Sequence, residues 1–448
     1  MKKTLLTILF LSLVLPSISQ SAAKNAKRQS SKGYPSIVLS DSLLSDGIRY
    51  SNIKFGSRKL KISANILEID LTNPNFEVAV YKAKNNISEL DKLQEIIRFT
   101  DTTENCKTLA AINGSFWKAV RNYPIGACIK GGVVIEQNPY KQWSGLYLDK
   151  NGIPYIDNFK LTGSVSLHNG KKLILSNVNR RRDSIGVVLY NSYGGNVIPH
   201  INLKTLDKMI ESAYTEMLKD TSFLQDDSTE YRFSYEEFEQ NIIENARNEQ
   251  LESSIKKALI EFIDTPGINR DYRGIINYID TGIVKINSNQ AVLSLGFNLP
   301  PDIELMIGDT LTFNFSTNNL NNIEFEHALT ATPRLVRKGV ARHEAQSEGS
   351  RSRRFINGRL GRTAIGYNKE KSKLYLVTID HSNRRIGRKG STLGELAQIM
   401  KQIGCYDAMN LDGGGSTIMV IDGKNIMSPG NPDASRRIAV GIGVKIKD

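Results

Sequence analysis

The stretch STLGELAQIMKQIGCYDAMNLDGGGSTIMV, Ser391 to Val420, decides most of what the chain says about its fold. It opens with Thr392-Leu393-Gly394-Glu395, a hydroxyl followed three residues later by a carboxylate, the pattern of a capping box. Leu393, Leu396, Ala397, Met400 and Ile403 then recur with helical spacing, and Gly404 is placed to end the helix. Ala408 to Leu411 is short and apolar, a buried strand. It runs into Asp412-Gly413-Gly414-Gly415-Ser416-Thr417, and a second strand follows from Ile418 to Ile421. Three consecutive glycines cost backbone entropy unless the chain must come close to something. Their N–H groups can form an anion-binding nest, with Ser416 and Thr417 adding hydroxyls and Asp412 facing the same place. The plainer reading is a tight turn with an exposed Asp. The lysine and spacing of a phosphate-binding P-loop are absent.

Outward from this block, the strand-like runs dominate. Ala64 to Leu71 and Phe76 to Tyr81 frame Asn73-Pro74-Asn75 as a hairpin. Further strands are expected at Leu109–Ile112, Val133–Ile135, Leu146–Leu148, Ile185–Tyr190, Ile283–Ile286, Gln290–Ser294, Thr310–Phe315, Thr363–Tyr367 and Leu374–Asp380. Ile87 to Phe99 has helical spacing. From Leu203 to Asp264 the character changes: acidic residues outnumber basic ones about two to one, and apolar residues recur at helical intervals. Residues 203–264 therefore read as a helical insertion between a first core part, 51–202, and a second, 265–448. The fold expected is α+β: a mixed β-sheet core with packed helices and an inserted helical segment.

The chain has 448 residues, 40% of them apolar, ample for a large core, and a net charge of +13. Lys2 and Lys3, the short apolar run Thr4–Leu15, and small residues from Ser17 to Ala23 read as a signal peptide over 1–21. An uncleaved anchor is the alternative. A polar lead-in, 22–50, follows. Export makes a nucleic-acid partner an unsuitable account of the basic charge, and no DNA- or RNA-binding signature is present. A phosphate-bearing polymer suits it. A loop from Arg342 to Arg359 is crowded with Arg, Ser and Gly. Cys106, Cys128 and Cys405 form no zinc set; in an oxidising compartment Cys106 and Cys128 could pair, or all three stay as buried thiols. No cofactor is called for, and whether a metal is bound is left open.

Three further clusters bear chemistry. Arg362-Thr363-Ala364-Ile365-Gly366 begins with a residue suited to bidentate phosphate contact, or is a surface Arg. Asn113, in Ala111-Ile112-Asn113-Gly114-Ser115-Phe116-Trp117, can orient a sugar hydroxyl, or is a turn residue. Ile379-Asp380-His381 puts a carboxylate and an imidazole at a strand end, solvated by default. In this order, together with Asn410-Leu411-Asp412 and the closing Arg436-Arg437-Ile438-Ala439-Val440, these motifs resemble the phosphodiester glycosidase family, of the uncovering-enzyme type. The resemblance spans roughly Ile62 to Lys445. Ser115 stands where that family usually has glycine, Trp117 where Phe is usual, Ala331-Thr332-Pro333-Arg334 where a glycine-rich element is typical, and Gly361 where Pro is common.

The resemblance implies a hydrolase acting on a sugar-1-phosphodiester or phosphate-containing glycan outside the cytoplasm, releasing free sugar. Two carboxylates are then needed. Asp412 and Asp380 are the candidates, with His381 assisting proton transfer. Arg362, the amides of Gly413 and Gly414, and Ser416 would hold phosphate, Asn113 would orient a sugar hydroxyl, and Thr363 and Thr417 would also bind substrate. A non-catalytic glycan-binding protein, or a phosphodiesterase cutting the P–O bond, are the rivals.

Overall fold

Apolar residues on alternate positions make sheet faces, and the described residues are built largely from such faces packed on one another. The computed structural model describes residues 33–56, 61–118, 122–180, 186–199, 240, 252–296, 303–381, 390–427 and 435–447. The expected signal peptide and most of the expected insertion lie outside them.

The first sheet has eight strands in the order Ser36–Ser45, Ile48–Phe55, Ile62–Asp70, Lys373–Ile379, Arg362–Tyr367, Asp407–Asn410, Arg334–Arg337 and Val340–Ala341. A second, five-stranded sheet runs Lys424–Asn425, Met419–Ile421, Lys107–Asn113, Val440–Ile446 and Phe76–Lys82. Their facing side chains, among them Leu67, Ile365 and Leu376 from one and Val80, Ile112 and Ile442 from the other, belong to one buried core. A third sheet is centred on Phe325–Ala331 and Ser144–Asp149. Seven strands close into a barrel, from Leu161–Ser166 through Thr310–Thr317. Its interior is filled by side chains such as Ile260, Leu293, Phe313 and Phe315. Tyr272 and Phe313 stack there at 5.5 Å.

Three α-helices are bounded among the described residues, α1 (Leu93–Glu104), α2 (Arg353–Asn357) and α3 (Leu393–Gln402), and they lie on the outside of the sheets. α1 covers the second sheet with Leu93, Ile96 and Ile97. α3 packs on strands Arg334–Arg337 and Asp407–Asn410 of the first. The capping box is present, Thr392 Oγ1 accepting from Glu395 N–H and Thr392 N–H donating to Glu395 Oε2.

The α+β expectation is therefore corrected. The described residues hold twenty-seven strands against these short helices, so the protein is mostly β, with sheets and a barrel packing on each other. The end of the expected helical insertion shows why. Ile255, Leu259 and Ile263 match a helical period, but Lys257–Phe262 is a barrel strand that buries Ala258 and Ile260 at a period of two. The helix expected over 87–99 begins only at Leu93 and runs to Glu104, because Asp91 is bridged to Ile438 in the sheet direction. All three cysteines are free thiols, with Cys128 and Cys405 buried.

Candidate active site

Strand ends from both stacked sheets meet where Asn113, Thr363 and Asp412 are joined by hydrogen bonds. Arg362 starts its strand opposite Ile379, the end of the neighbour on one side, and Asn410 ends the neighbour on the other side opposite Ala364. Asp380 and Asp412 thus leave the two strands that flank Arg362–Tyr367. Strands lie about 4.8 Å apart, so the backbones bearing the two carboxylates are separated by about 10 Å. Both acids are buried, at 6% and 3% exposure.

Asn113 ends the central strand of the second sheet and ties the motifs together. Its Nδ2 donates to the Asp412 carbonyl at 2.6 Å. Its Oδ1 accepts from Thr363 Oγ1 at 2.7 Å and from Ile418 N–H at 3.1 Å. Asp412 N–H donates to Gly114 O at 3.0 Å, and Asp412 Oδ1 accepts from Gly413 N–H at 2.9 Å. Asp412 is held at backbone and side chain together, on the floor between the sheets.

Asp380 is supported from the adjacent strand. Its Oδ1 accepts from Asn65 Nδ2 at 3.1 Å, and Asn65 Oδ1 in turn accepts from Tyr50 Oη at 2.9 Å and Asn52 Nδ2 at 2.6 Å. Sequence reasoning missed Asn65. Its signal was a lone amide inside the apolar run Ile62–Asp70, buried where an apolar residue is the norm. His381 is exposed, its ring lying over Gly361, where a Cβ would come within 2.8 Å of it.

Arg362 and Thr363 are neighbours on one strand and so point to opposite faces. Thr363 faces Asn113. Arg362 turns to the α2 and α3 side, where Nε donates to Ser391 O at 3.1 Å and one terminal nitrogen donates to Phe355 O at 2.7 Å and Gly358 O at 3.0 Å. The Phe355 ring lies 5.4 Å from the guanidinium. Burial alone lowers its pKa to about 10, so it remains a cation at neutral pH. It makes no ion pair with any described carboxylate.

The glycine run is occupied in the same manner. Gly414 N–H donates to Gly361 O at 2.9 Å, and a Cβ on Gly413 would meet that same oxygen at 2.9 Å. The run lets the loop lie against strand Arg362–Tyr367. The hydroxyls are different. Ser115, Ser391, Ser416 and Thr417 are buried with oxygens that have no hydrogen-bond partner among the described residues. Glu348 was also missed. It is buried, and burial raises its pKa. Its oxygens accept from Ser144 Oγ, Thr332 Oγ1 and Arg334 N–H, each at 2.7 Å. Thr332 O then takes Asn410 Nδ2, which links this carboxylate to the strand leading to Asp412. Among the described residues no group of three His, Cys, Asp or Glu is gathered to hold a metal.

Residues 269–445 match the phosphodiester glycosidase family model. The resemblance carried by the motifs is thereby borne out over the second part of the chain. An 80-residue segment is 38% identical to N-acetylglucosamine-1-phosphodiester alpha-N-acetylglucosaminidase of Mus musculus. That alignment covers 18% of this chain and 14% of that protein. In fold, the chain is similar to the crystal structure of a hypothetical protein from Synechocystis, with a TM-score of 0.61 at 20% identity, over 92% of this chain and 64% of that one. A protein of Burkholderia pseudomallei K96243 matches with a TM-score of 0.57 at 14% identity, over 92% and 97%. Asn113 lies outside the family match and joins the site through the fold.

Proposed function

We propose that this protein is an exported hydrolase that cleaves the glycosidic bond of a sugar-1-phosphodiester, releasing a free N-acetylhexosamine and a phosphomonoester. The observation that carries the reading is the set of buried hydroxyls on Ser115, Ser416 and Thr417 that have no hydrogen-bond partner among the described residues, in the loops that carry the buried Asp412. Native interiors rarely leave such groups unpaired, at a cost of roughly 1–3 kcal/mol each. A ligand rich in hydroxyl and phosphate oxygens would satisfy them.

In the reaction the C1–O bond breaks and the phosphate oxygen leaves with the electron pair. Water forms the new bond at C1 and gives up its proton to a carboxylate. The phosphomonoester leaves as a weak base and needs little protonation, so holding the phosphate and stabilising positive charge at C1 are the larger tasks. Asp412 and Asp380, on either side of one strand, supply the negative charge. Thr363, Ser416 and Thr417 orient the diester. Arg362 acts from below, fixing the strand start and adding positive charge near the phosphate, and His381 at the rim relays protons. The amides of Gly413 and Gly414 hold the loop in shape.

The test is hydrolysis of a chromogenic N-acetylhexosamine-1-phosphodiester in ¹⁸O-labelled water. Label in the free sugar supports glycosidic cleavage. Label in phosphate with release of sugar-1-phosphate assigns the P–O-cleaving reading. Binding without turnover assigns a glycan-binding protein. Export rests on the Lys2–Ala23 signature; a mature N-terminus outside Ser17–Lys24 would contradict it. Among the described residues no helix is long and apolar enough to cross a membrane.

A further inference from the structure

On the α2 side of the first sheet, away from Asn113 and Thr363, lies a cleft of about 1000 Å³. Its walls are the hairpin Arg334–Ala341, the loop that follows it, and α2. Five permanent cations line it, Arg337, Lys338, Arg342, Arg351 and Arg353, against a single acid, Glu344. That acid is already committed, with both oxygens accepting from Arg337 at 2.6 and 2.7 Å. Arg342 and Arg353 are exposed and join no ion pair among the described residues. Concentrating this much like charge in one concavity is unfavourable unless an anion enters it. His343 sits in the same wall, its Nδ1 buried with no hydrogen-bond partner among the described residues.

The occupant can be narrowed by what the lining lacks. Among the described residues its apolar members are Val340 and Ile356, and none of its lining residues is aromatic. Single-stranded nucleic acid is held by base stacking on aromatic platforms together with charge, and that element is missing. Arginine forks suit phosphate oxygens without any base. The cleft is also coupled to the site, since Ile356 and Asn357 in its wall belong to the turn whose Phe355 and Gly358 carbonyls hold Arg362.

We infer that this cleft binds the phosphate groups of an anionic glycan chain, a secondary site that retains a phosphate-bearing polymer while its diester occupies the site at Asp412. The inference deepens the proposed function and rests on it for the nature of the polymer. Its test is independent of turnover. A fluorescein-labelled oligo(glycerol phosphate) of about ten units is titrated with the full chain, read by anisotropy at several salt concentrations. Wild type binds with an affinity that falls with salt. Arg342→Gln/Arg353→Gln binds about tenfold more weakly and with a shallower salt dependence, whereas Arg342→Lys/Arg353→Lys keeps most of the binding. Circular dichroism of both double variants confirms the fold. Equal binding by wild type and the Gln variant overturns the inference. Tighter binding of a single-stranded oligonucleotide of equal charge also overturns it, giving the cleft to nucleic acid. Failure of the chromogenic diester to react would remove the proposed chemistry but leave this binding result standing, so the two can fail separately.

Discussion

Asn113→Asp isolates the most consequential contact in the site. The change is isosteric, and a carboxylate still accepts from Thr363 Oγ1 and Ile418 N–H, the two donors at 2.7 and 3.1 Å. It cannot donate to the Asp412 carbonyl, 2.6 Å away, unless it carries a proton. The protonated acid reproduces all three bonds; the ionised acid sets a buried charge against a carbonyl oxygen. Residue 113 is only 1% exposed, and buried carboxyls shift upward by up to 3–5 units. A shift of about 3 units is equivalent to about 4 kcal/mol. The sign follows from linkage: the folded pKa lies above the unfolded one, so the stability is present below about pH 4 and is lost as pH rises through the folded value, near 7. Urea unfolding from pH 4 to 8 should show the variant approaching wild type at the acid end and falling behind by roughly 4 kcal/mol at pH 8. Turnover should fall over the same range, because Asp412 loses its backbone support. A variant whose stability deficit does not change with pH would show that the Asp412 carbonyl is not held by Asn113, and the hub would have to be redrawn.

Other substitutions separate roles within the site. Asp412→Asn should keep the fold and ligand binding while kcat on the diester falls by about 10³ or more; near-normal kcat would shift the chemistry to Asp380. Arg362→Lys replaces a fork that spans three carbonyls by a point donor, so it should cost about 2–3 kcal/mol of stability with little change in KM; a raised KM with unchanged stability would put Arg362 in direct contact with phosphate. Lys82 is fully buried, and burial lowers its pKa to about 7, with its Nζ donating to Glu89 O. The lowered value means wild type loses stability as pH falls from the unfolded pKa through about 7. Lys82→Met should therefore gain on wild type as pH falls from about 10 to 6, by roughly 5 kcal/mol in thermal unfolding; a pH-independent difference would contradict this.

Helices were more legible than their share of the fold deserved. Thr392 and Glu395 announce a helix start in four letters, and Gly404, with φ of +107°, ends it where expected. A barrel strand announces itself by five to eight alternating residues, a weaker signal, and closure is not written locally at all. Leu161–Ser166 pairs with Thr310–Thr317, about 150 residues away, and nothing in either run names the other. Hence a chain of stacked sheets and a barrel read as α+β. The same limit governs the site. Asp412, Asn113 and Thr363 stood out in the sequence because each lies at or beside the end of a short buried strand, and the fold joins them by hydrogen bonds. Which face Arg362 would take depends on register with Lys373–Ile379 and Asp407–Asn410, which sequence does not supply.

The glycine run sharpens that limit. Gly413-Gly414-Gly415 signalled close approach, and the approach is there, since a side chain at Gly413 would collide with Gly361 O. The surface approached is the protein's own strand, and the amides of Gly413 and Gly414 are already used by Asp412 Oδ1 and Gly361 O. What the close approach achieves is to bring Ser416 and Thr417 down beside Asn113, Ile418 N–H being bonded to its Oδ1. The hydroxyls of Ser416 and Thr417, not the glycine amides, are then the groups left without a hydrogen-bond partner among the described residues.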